Sequence, residues 1–322
     1  MRVRARTGLA AAGAAVAAFL VATGAESLYI GLAHADRAAL EWISDVVLAL
    51  GFGLVVWLWL HLRATRGELA RLERAQIVLD TELGLAAEIQ RTLLPGAAGP
   101  CRGLSLAARM EPAGKIGGDF YDFVSPDPET VVFVLGDISG KGIPAALLMA
   151  STRTLFRNLV RETQEPAVLA TRLSRALHED NGGSPYATCV MGRFDMRERT
   201  LTYVSAGHPA GLVLGPLGRR AIESGGPPVG ILPAIAYSAT ALRLAPGDVG
   251  VLVTDGITEA ADGADLEASD LLEEALRALG SPPSADEVCE TIMSLTRARG
   301  PAPGGLPDDR TILAFVVSEG AA

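Results

Sequence analysis

Two long apolar runs lie near the start of the chain. The first covers residues 8–25 and follows three arginines, and the second covers residues 43–62, where the only charged residue is Asp45. Each run is long enough for a helix to cross the hydrocarbon core of a bilayer, which takes about 20 apolar residues. The pattern therefore predicts a membrane anchor with two transmembrane helices in residues 1–62.

The charges around these runs predict an orientation. The segment between the runs is acidic on balance, whereas four arginines follow the second run within 12 residues: Arg63, Arg66, Arg71 and Arg74. The positive-inside bias then places both ends in the cytoplasm and predicts a hairpin in the cell (inner, cytoplasmic) membrane, a multi-pass arrangement. Residues 8–25 also fit a cleaved signal peptide, and in that case residues 43–62 alone would anchor the remainder.

A heptad pattern follows the second run. Its two seam positions hold Leu62, Leu69, Gln76, Leu83 and Gln90, and Thr65, Leu72, Leu79, Ala86 and Leu93. Such a seam predicts a helical linker over residues 63–95 and a parallel homodimer through residues 62–93. Pro95 and Gly96 would end the helix. The alternative is that the same stripe packs on the domain that follows.

Short β-rich runs separated by glycine, proline and aspartate make up residues 96–322. Strands are predicted at residues 104–109, 130–135, 187–194, 200–205, 211–214, 249–254 and 311–317. Helices are predicted at 145–160 after Pro144, from Pro166, and from a capping box of Ser284 and Glu287 to Arg299. Residues 300–307 read as a loop. Because strands and helices do not alternate regularly, the pattern predicts an α+β fold.

Composition narrows the classes of function. The net charge of -9 and the sequence pI of about 5.1 argue against a nucleic-acid partner, because a phosphate backbone requires a basic face. The three cysteines are far apart in the sequence, so neither a disulfide framework nor a thiolate metal site is predicted. The mean hydropathy of +0.30 reflects the apolar first 60 or so residues.

Four short turns near strand ends carry the candidate chemistry. Their aspartates are Asp119 with Asp122, Asp137, Asp255, and Asp308 with Asp309. If the turns converge, repulsion and desolvation disfavour the ionised carboxylates unless cations bind, and oxygen-rich sites suit Mg²⁺ or Mn²⁺. Each aspartate taken alone is better explained by a local backbone hydrogen bond, and it is the four turns together that favour a metal site. The four histidines lack zinc-ligand spacing, and His208 is expected to be structural.

Seven motifs in order resemble the bacterial SpoIIE/RsbU-type PP2C phosphatases, over residues 85–318. They are Ala-Glu-Ile-Gln-Arg-Thr-Leu-Leu-Pro at 87–95, Gly-Gly-Asp-Phe-Tyr-Asp at 117–122, Gly-Asp-Ile-Ser-Gly-Lys-Gly-Ile-Pro-Ala-Ala at 136–146, Ala-Gly-His-Pro at 206–209, Gly-Pro-Pro-Val-Gly at 226–230, Thr-Asp-Gly-Ile-Thr-Glu-Ala at 254–260 and Asp-Asp-Arg-Thr at 308–311. The resemblance implies a PP2C-like αββα sandwich with metals at one edge.

The resemblance also implies roles for single residues. Asp137 would bridge two Mn²⁺ or Mg²⁺ ions near the Ile138 carbonyl, Asp255 and Asp308 would complete one shell, and Asp119 would hold the other ion. These four aspartates are the predicted catalytic residues. Asp122 and Asp309 are further candidates. Lys115 and Lys141 are candidate phosphate contacts, and the acid that protonates the leaving group is unassigned.

The implied function is hydrolysis of phosphoserine or phosphothreonine by a water activated between two metals. The implied substrate is a STAS-domain anti-anti-sigma factor in a partner-switching pathway that controls a sigma factor. One alternative is a catalytically inactive, membrane-bound scaffold of the same fold. Another is a different metal-dependent hydrolase or a nucleotide cyclase, because the Gly-Gly-Asp-Phe run at 117–120 is similar to that of diguanylate cyclases.

Overall fold

A computed structural model describes residues 37–96, 101–258, 268–279, 283–299 and 308–319. The chain divides into two compact units, Met1–Val78 and Leu79–Ala322. The first predicted membrane run, residues 8–25, and the predicted loop at 300–307 lie outside the described residues. The second run and the predicted linker lie inside them.

A single α-helix, α1, extends over Arg37–Leu93. It includes the whole of residues 43–62, and the large apolar side chains after Ile43 are exposed, Phe52 for example by 73%. Among the described residues it is the one helix long and apolar enough to cross a membrane, by length and composition. The Arg63 guanidinium lies 5.1 Å from the centre of the Trp59 ring, within the range of a cation–π contact. The two-helix hairpin stays a prediction.

Two five-stranded antiparallel sheets form the centre of the second unit. One has the strand order β1-β10-β9-β6-β7 and the other β2-β3-β4-β5-β8. The strands are β1 Leu104–Glu111, β2 Phe120–Asp127, β3 Thr130–Ile138, β4 Ala187–Asp195, β5 Thr200–Ala206, β6 Gly211–Gly215, β7 Gly218–Ile222, β8 Thr240–Arg243, β9 Val249–Val253 and β10 Arg310–Val317. The helices are α2 Ile143–Glu162, α3 Pro166–Asn181, α4 Asp255–Thr258, α5 Ala268–Leu279 and α6 Ala285–Arg299.

The core has three apolar layers, which explains why the central strands are apolar on both faces. Between the sheets, Phe194 packs against Phe133 and Phe315, with ring centres 5.2 and 4.9 Å apart. Val132 and Val134, which alternate with Phe133, face α2 and α3 on the opposite side. The outer face of the other sheet packs on α5 and α6. The predicted α+β fold with two sheets covered by helices is therefore confirmed.

Most predicted elements match the observed ones. The predicted helices correspond to α2, α3 and α6, and the capping box forms, since Ser284 N donates to Glu287 Oε2 at 2.8 Å and Glu287 N donates to Ser284 Oγ at 3.3 Å. Three strands and two helices were not predicted: β2, β7, β8, the short α4 and α5. The prediction that Asp122 lies in a turn is wrong, because that residue is inside β2.

Candidate metal centre

Both sheets deliver acidic residues to the same edge of the sandwich. Asp137 is the penultimate residue of β3, and Asp119 comes immediately before β2, whose first residue pairs with Gly136. In the other sheet, Asp255 begins α4 directly after β9, and Asp308 precedes β10. Because β9 pairs with β10, these last two aspartates leave the sheet side by side. The fold thus brings together the four predicted catalytic aspartates.

Asp119 joins the two sheets at this edge. Its carboxylate is buried, and Oδ2 accepts hydrogen bonds from the hydroxyls of Thr254, at 2.8 Å, and Thr311. These threonines also bind each other, since Thr311 N donates to Thr254 Oγ1 at 2.9 Å and Thr254 N donates to the Thr311 carbonyl at 3.0 Å. The position and orientation of Asp119 are therefore set by two neighbouring strands.

The aspartates of the cluster disfavour each other's ionisation. Burial, followed by the charge of Asp137, raises the pKa of Asp119 well above its usual value. Burial and the charges of Asp255, Asp308 and Asp309 raise the pKa of Asp137 to about 7. The pKa of Asp255 is raised by burial and by Asp308. Such a group of carboxylates stays ionised at neutral pH only with nearby positive charge.

The donors at this edge fit hard divalent cations. Across the described ranges, no three histidine, cysteine or acidic side chains form a group that could hold a metal ion, but a backbone oxygen lies beside the aspartates. The Ile138 carbonyl and Asp137 Oδ1 both face Gly118, where an added Cβ would lie 2.9 and 3.1 Å from them. A glycine here keeps this space open to a ligand, and an all-oxygen set is the one that Mg²⁺ and Mn²⁺ prefer.

Asp309 holds the turn that carries Asp119. Its Oδ2 accepts a hydrogen bond from Gly118 N at 2.6 Å, and its Oδ1 accepts one from Ala113 N at 2.8 Å. With both oxygens engaged by backbone N–H groups, the carboxylate acts as a clamp on residues 113–119. This role was not predicted, because neither motif spacing nor hydropathy shows which backbone groups lie opposite a side chain.

The two candidate lysines have different partners. Lys141 Nζ lies 2.9 Å from Asp308 Oδ2, whereas Lys115 Nζ lies 3.0 Å from Asp80 Oδ1 and 2.9 Å from the Asp80 carbonyl oxygen on α1. Both lysines line a cavity of about 350 Å³ beside the acidic cluster, together with Leu83, Ala113, Gly114, Ile116, Gly117, Gly118, Gly142, Asp308 and Asp309. The cavity gives a ligand access to the edge that carries the aspartates.

The family model for stage II sporulation protein E (SpoIIE) matches residues 127–318, well over half of the chain. The chain belongs to the SpoIIE family. The phosphoserine phosphatase RsbU of Bacillus subtilis (strain 168) is 31% identical over 183 residues, which make up 56% of this chain and 54% of RsbU. The SpoIIE-family chain thus spans about half the length of that relative.

Solved structures show the same architecture. The SiaA PP2C domain of Pseudomonas aeruginosa matches with a TM-score of 0.63 at 21% identity, covering 76% of this chain and 99% of that domain. The RsbU and RsbW domains of Rv1364c from Mycobacterium tuberculosis match with a TM-score of 0.62 at 26% identity, covering 71% and 64%. The predicted PP2C-like sandwich is therefore confirmed for the SpoIIE-family domain.

Gln90 connects α1 to the metal edge of the SpoIIE-family domain. It is buried, its Nε2 donates to the Gly117 carbonyl at 2.7 Å, and its Oε1 accepts from Gly117 N at 3.2 Å. The prediction that Gln90 lies in a dimer seam is therefore wrong. A heptad pattern shows which face of a helix is distinctive, but it does not show whether a second helix or the helix's own domain covers it.

Asp122, a further candidate, and His208 both have structural partners in the SpoIIE-family fold. Asp122 is fully buried on β2, where Arg153 Nε lies 2.9 Å from Oδ2 and Arg157 donates to both oxygens at 2.5 and 2.8 Å. These arginines belong to α2, so Asp122 joins that helix to the sheet. His208 is buried beside Thr188, and burial lowers its pKa to about 4, in keeping with the structural role expected for it.

Proposed function

We propose that this chain is a metal-dependent protein serine/threonine phosphatase. The observation that carries the proposal is the convergence of Asp119, Asp137, Asp255 and Asp308 on one open, all-oxygen edge of a PP2C-like sandwich. Membership of the SpoIIE family and similarity to the phosphoserine phosphatase RsbU support it. The full set of acidic residues argues against an inactive scaffold, and the phosphatase fold argues against a cyclase.

Two Mn²⁺ or Mg²⁺ ions fit the donors of this edge. Asp137 would bind both ions. The Ile138 carbonyl, Asp255 and Asp308 would bind one of them, and Asp119 would bind the other. When bound, such ions activate water and neutralise charge on the phosphoryl oxygens. Thr254 and Thr311 keep Asp119 oriented toward the site. The sequence contains no G-x-S-x-G nucleophile motif, and direct attack by water is the proposed route.

The proposed substrate is a phosphoserine or phosphothreonine of a STAS-domain anti-anti-sigma factor in a partner-switching pathway. RsbU, by its name, acts on phosphoserine, and RsbU and RsbW domains occur together in the mycobacterial relative. The test is phosphate release from a phosphoserine STAS-domain protein with metal present, compared with a phosphotyrosine peptide. We expect release from the first alone, and preferential release from phosphotyrosine would contradict the proposal.

We also propose that the domain works beneath a membrane. The exposed apolar side chains of residues 42–62 on α1 support an anchor, and the four arginines that follow support a cytoplasmic position for the phosphatase domain. With a second span at residues 8–25, the protein would be a multi-pass protein of the cytoplasmic membrane. The loop between the two spans is too short for a folded sensor domain.

A parallel homodimer through α1 is the proposed arrangement of the linker. Leu69, Leu72 and Leu79 of the seam are exposed by 52–62% and are free of the domain contact made by Gln90. Replacing Leu72 and Leu79 by Asp is therefore expected to give a monomer in detergent and to change turnover together with it. Light scattering coupled to size exclusion and a phosphatase assay measure the two properties.

The matched control for this pair is Arg74→Asp with Thr81→Asp, which puts two aspartates on the opposite face of the same helical turns. It is expected to leave the oligomeric state unchanged. A dimer that survives in the Leu72/Leu79 variant with unaltered turnover would exclude the seam.

Movement of α1 is the proposed input to the metal edge. Because Gln90 holds both backbone groups of Gly117, rotation or a register shift of α1 would move the turn that carries Asp119 and, beside it, the Asp137 strand end. Gln90→Ala is expected to weaken Mn²⁺ binding about 10-fold and to lower the free energy of unfolding by about 2 kcal/mol, because two buried backbone groups lose their partner.

Titration with Mn²⁺ and urea unfolding measure these two effects. Gln76→Ala, fourteen residues earlier on the same helix, is the matched control and should leave both quantities unchanged. Equal Mn²⁺ affinity in the Gln90 and Gln76 variants would rule out the coupling.

A further inference from the structure

Lys141 occupies the short connection between the Asp137 strand end and α2. It stands between Gly140 and Gly142, whose φ angles are +103° and +78°, values that glycine adopts readily and other residues rarely. The connection can therefore turn sharply and present a long side chain at the acidic edge. The Lys141 side chain is 58% exposed while its Nζ lies 2.9 Å from Asp308 Oδ2.

The charge around the cavity is unevenly distributed. Asp308 and Asp309 line it, and Asp137 and Asp255 lie close enough to interact electrostatically with them. Two lysines line the same cavity, and Lys115 is held by both the carboxylate and the backbone carbonyl of Asp80. Lys141 is the lysine whose ammonium contacts a predicted metal ligand, Asp308.

A phosphate monoester is a dianion, and it must approach an edge that carries several carboxylates. Bound cations offset part of that repulsion, and a mobile ammonium at the rim adds a contact to the phosphoryl oxygens that the carboxylates do not provide. The exposed, four-carbon stem of Lys141 allows its ammonium to leave Asp308 once that carboxylate is engaged by a metal. Lys115 Nζ contacts Asp80 on α1 instead of a predicted metal ligand.

We propose that Lys141 is the substrate-binding residue that contacts the phosphoryl group. Its ammonium would leave Asp308 and bind the phosphoryl oxygens of the phosphoprotein, and after hydrolysis it would bind those of the phosphate product. Lys115 instead ties the cavity wall to α1. The inference rests on the proposed phosphatase function and adds to it the cation that recognises the group to be removed.

Inorganic phosphate is the probe, because it is the product and carries nothing but the recognised group. The full chain in detergent, loaded with Mg²⁺, is titrated with phosphate by calorimetry and assayed with the phosphoprotein. In Lys141→Met we expect the dissociation constant of phosphate and the KM for the phosphoprotein to rise about 10-fold, as for loss of one charge-assisted hydrogen bond. Lys141→Arg should stay within about 3-fold of the wild type because it keeps the charge.

Metal affinity gives a second readout that separates binding of phosphate from damage to the metal edge. Because Lys141 competes with cations for Asp308, Lys141→Met is expected to bind Mg²⁺ as tightly as the wild type or more tightly. Lys115→Met is the matched control, with unchanged phosphate binding. Unaltered phosphate binding in Lys141→Met, or a loss explained by weaker Mg²⁺ binding, would overturn the assignment.

Failure of the two proposals can be told apart. If the wild type releases no phosphate from any phosphoprotein offered, the phosphatase function fails, while calorimetry with inorganic phosphate still decides the role of Lys141. If the wild type turns over and the Lys141→Met protein binds phosphate equally well, only the Lys141 assignment fails.

Discussion

Asp119→Asn is expected to lower kcat by on the order of 100-fold or more while leaving the fold intact, since replacing groups around a metal site costs 10- to 100-fold and this is a direct candidate ligand. Asparagine keeps one oxygen to accept hydrogen bonds from Thr254 and Thr311, so the strands stay joined. What disappears is the negative charge that faces Asp137. Initial rates with saturating Mn²⁺ measure the effect.

Stability should change in the opposite direction to activity. Without metal, Asp119→Asn is expected to melt at a higher temperature than the wild type, because a buried carboxylate next to other carboxylates is removed. The increase in Tm on adding Mn²⁺ should shrink, because a ligand is lost. Asp127→Asn, at the other end of β2, is the control, because asparagine keeps the oxygen that accepts from Glu129 N. Wild-type turnover, or an undiminished Mn²⁺ effect on Tm, would show that Asp119 is not a ligand.

The largest loss of stability is expected from Asp122→Ala. This carboxylate is fully buried between Arg153 and Arg157, and the Arg153 side chain is only 13% exposed. Breaking a buried ion pair by removing one partner costs about 3–5 kcal/mol, because the remaining charge is left uncompensated. Since Arg157 is partly exposed, we expect about 3 kcal/mol, measured by urea unfolding followed by circular dichroism.

Two further variants test whether the loss of stability in Asp122→Ala comes from its buried ion pairs. Ser125→Ala, at an exposed position of the same strand, should change the free energy of unfolding by no more than about 0.5 kcal/mol, as is usual for a surface position. Combining Asp122→Leu with Arg153→Leu should restore part of the loss, because neither charge then remains buried. A loss below about 1 kcal/mol for Asp122→Ala would mean that α2 is held to the sheet by apolar packing alone.

The sequence predicted the parts of the fold that local patterns determine. Val131–Leu135 and Val249–Val253 are continuous apolar runs, so the strands, and the aspartates that follow them, could be placed without coordinates. Strand β2 was missed because Asp122, Ser125 and Pro126 interrupt its pattern. A buried aspartate within a strand can be predicted only when the arginines of another element that pair with it are known.

Long-range partners are what the sequence could not supply. Asp309 lies next to a predicted ligand in the chain, yet its oxygens bind Gly118 N and Ala113 N, which are more than 190 residues away. The spacing of Gln90 matches a heptad seam, but its side chain in fact binds the backbone of Gly117. In both cases the residue type allowed two roles, and only the tertiary fold decides between them.

Metal-dependent phosphate release tests the central claim most directly. The full-length protein in lipid nanodiscs, which retains the contact between Gln90 and Gly117, is incubated with a phosphoserine STAS-domain protein in Mn²⁺, in Mn²⁺ with excess EDTA, and as Asp137→Asn in Mn²⁺. We predict turnover in the first condition and its loss in the other two. Turnover that persists in EDTA or in Asp137→Asn, or none by folded, metal-loaded wild type, would contradict a phosphatase built on these aspartates.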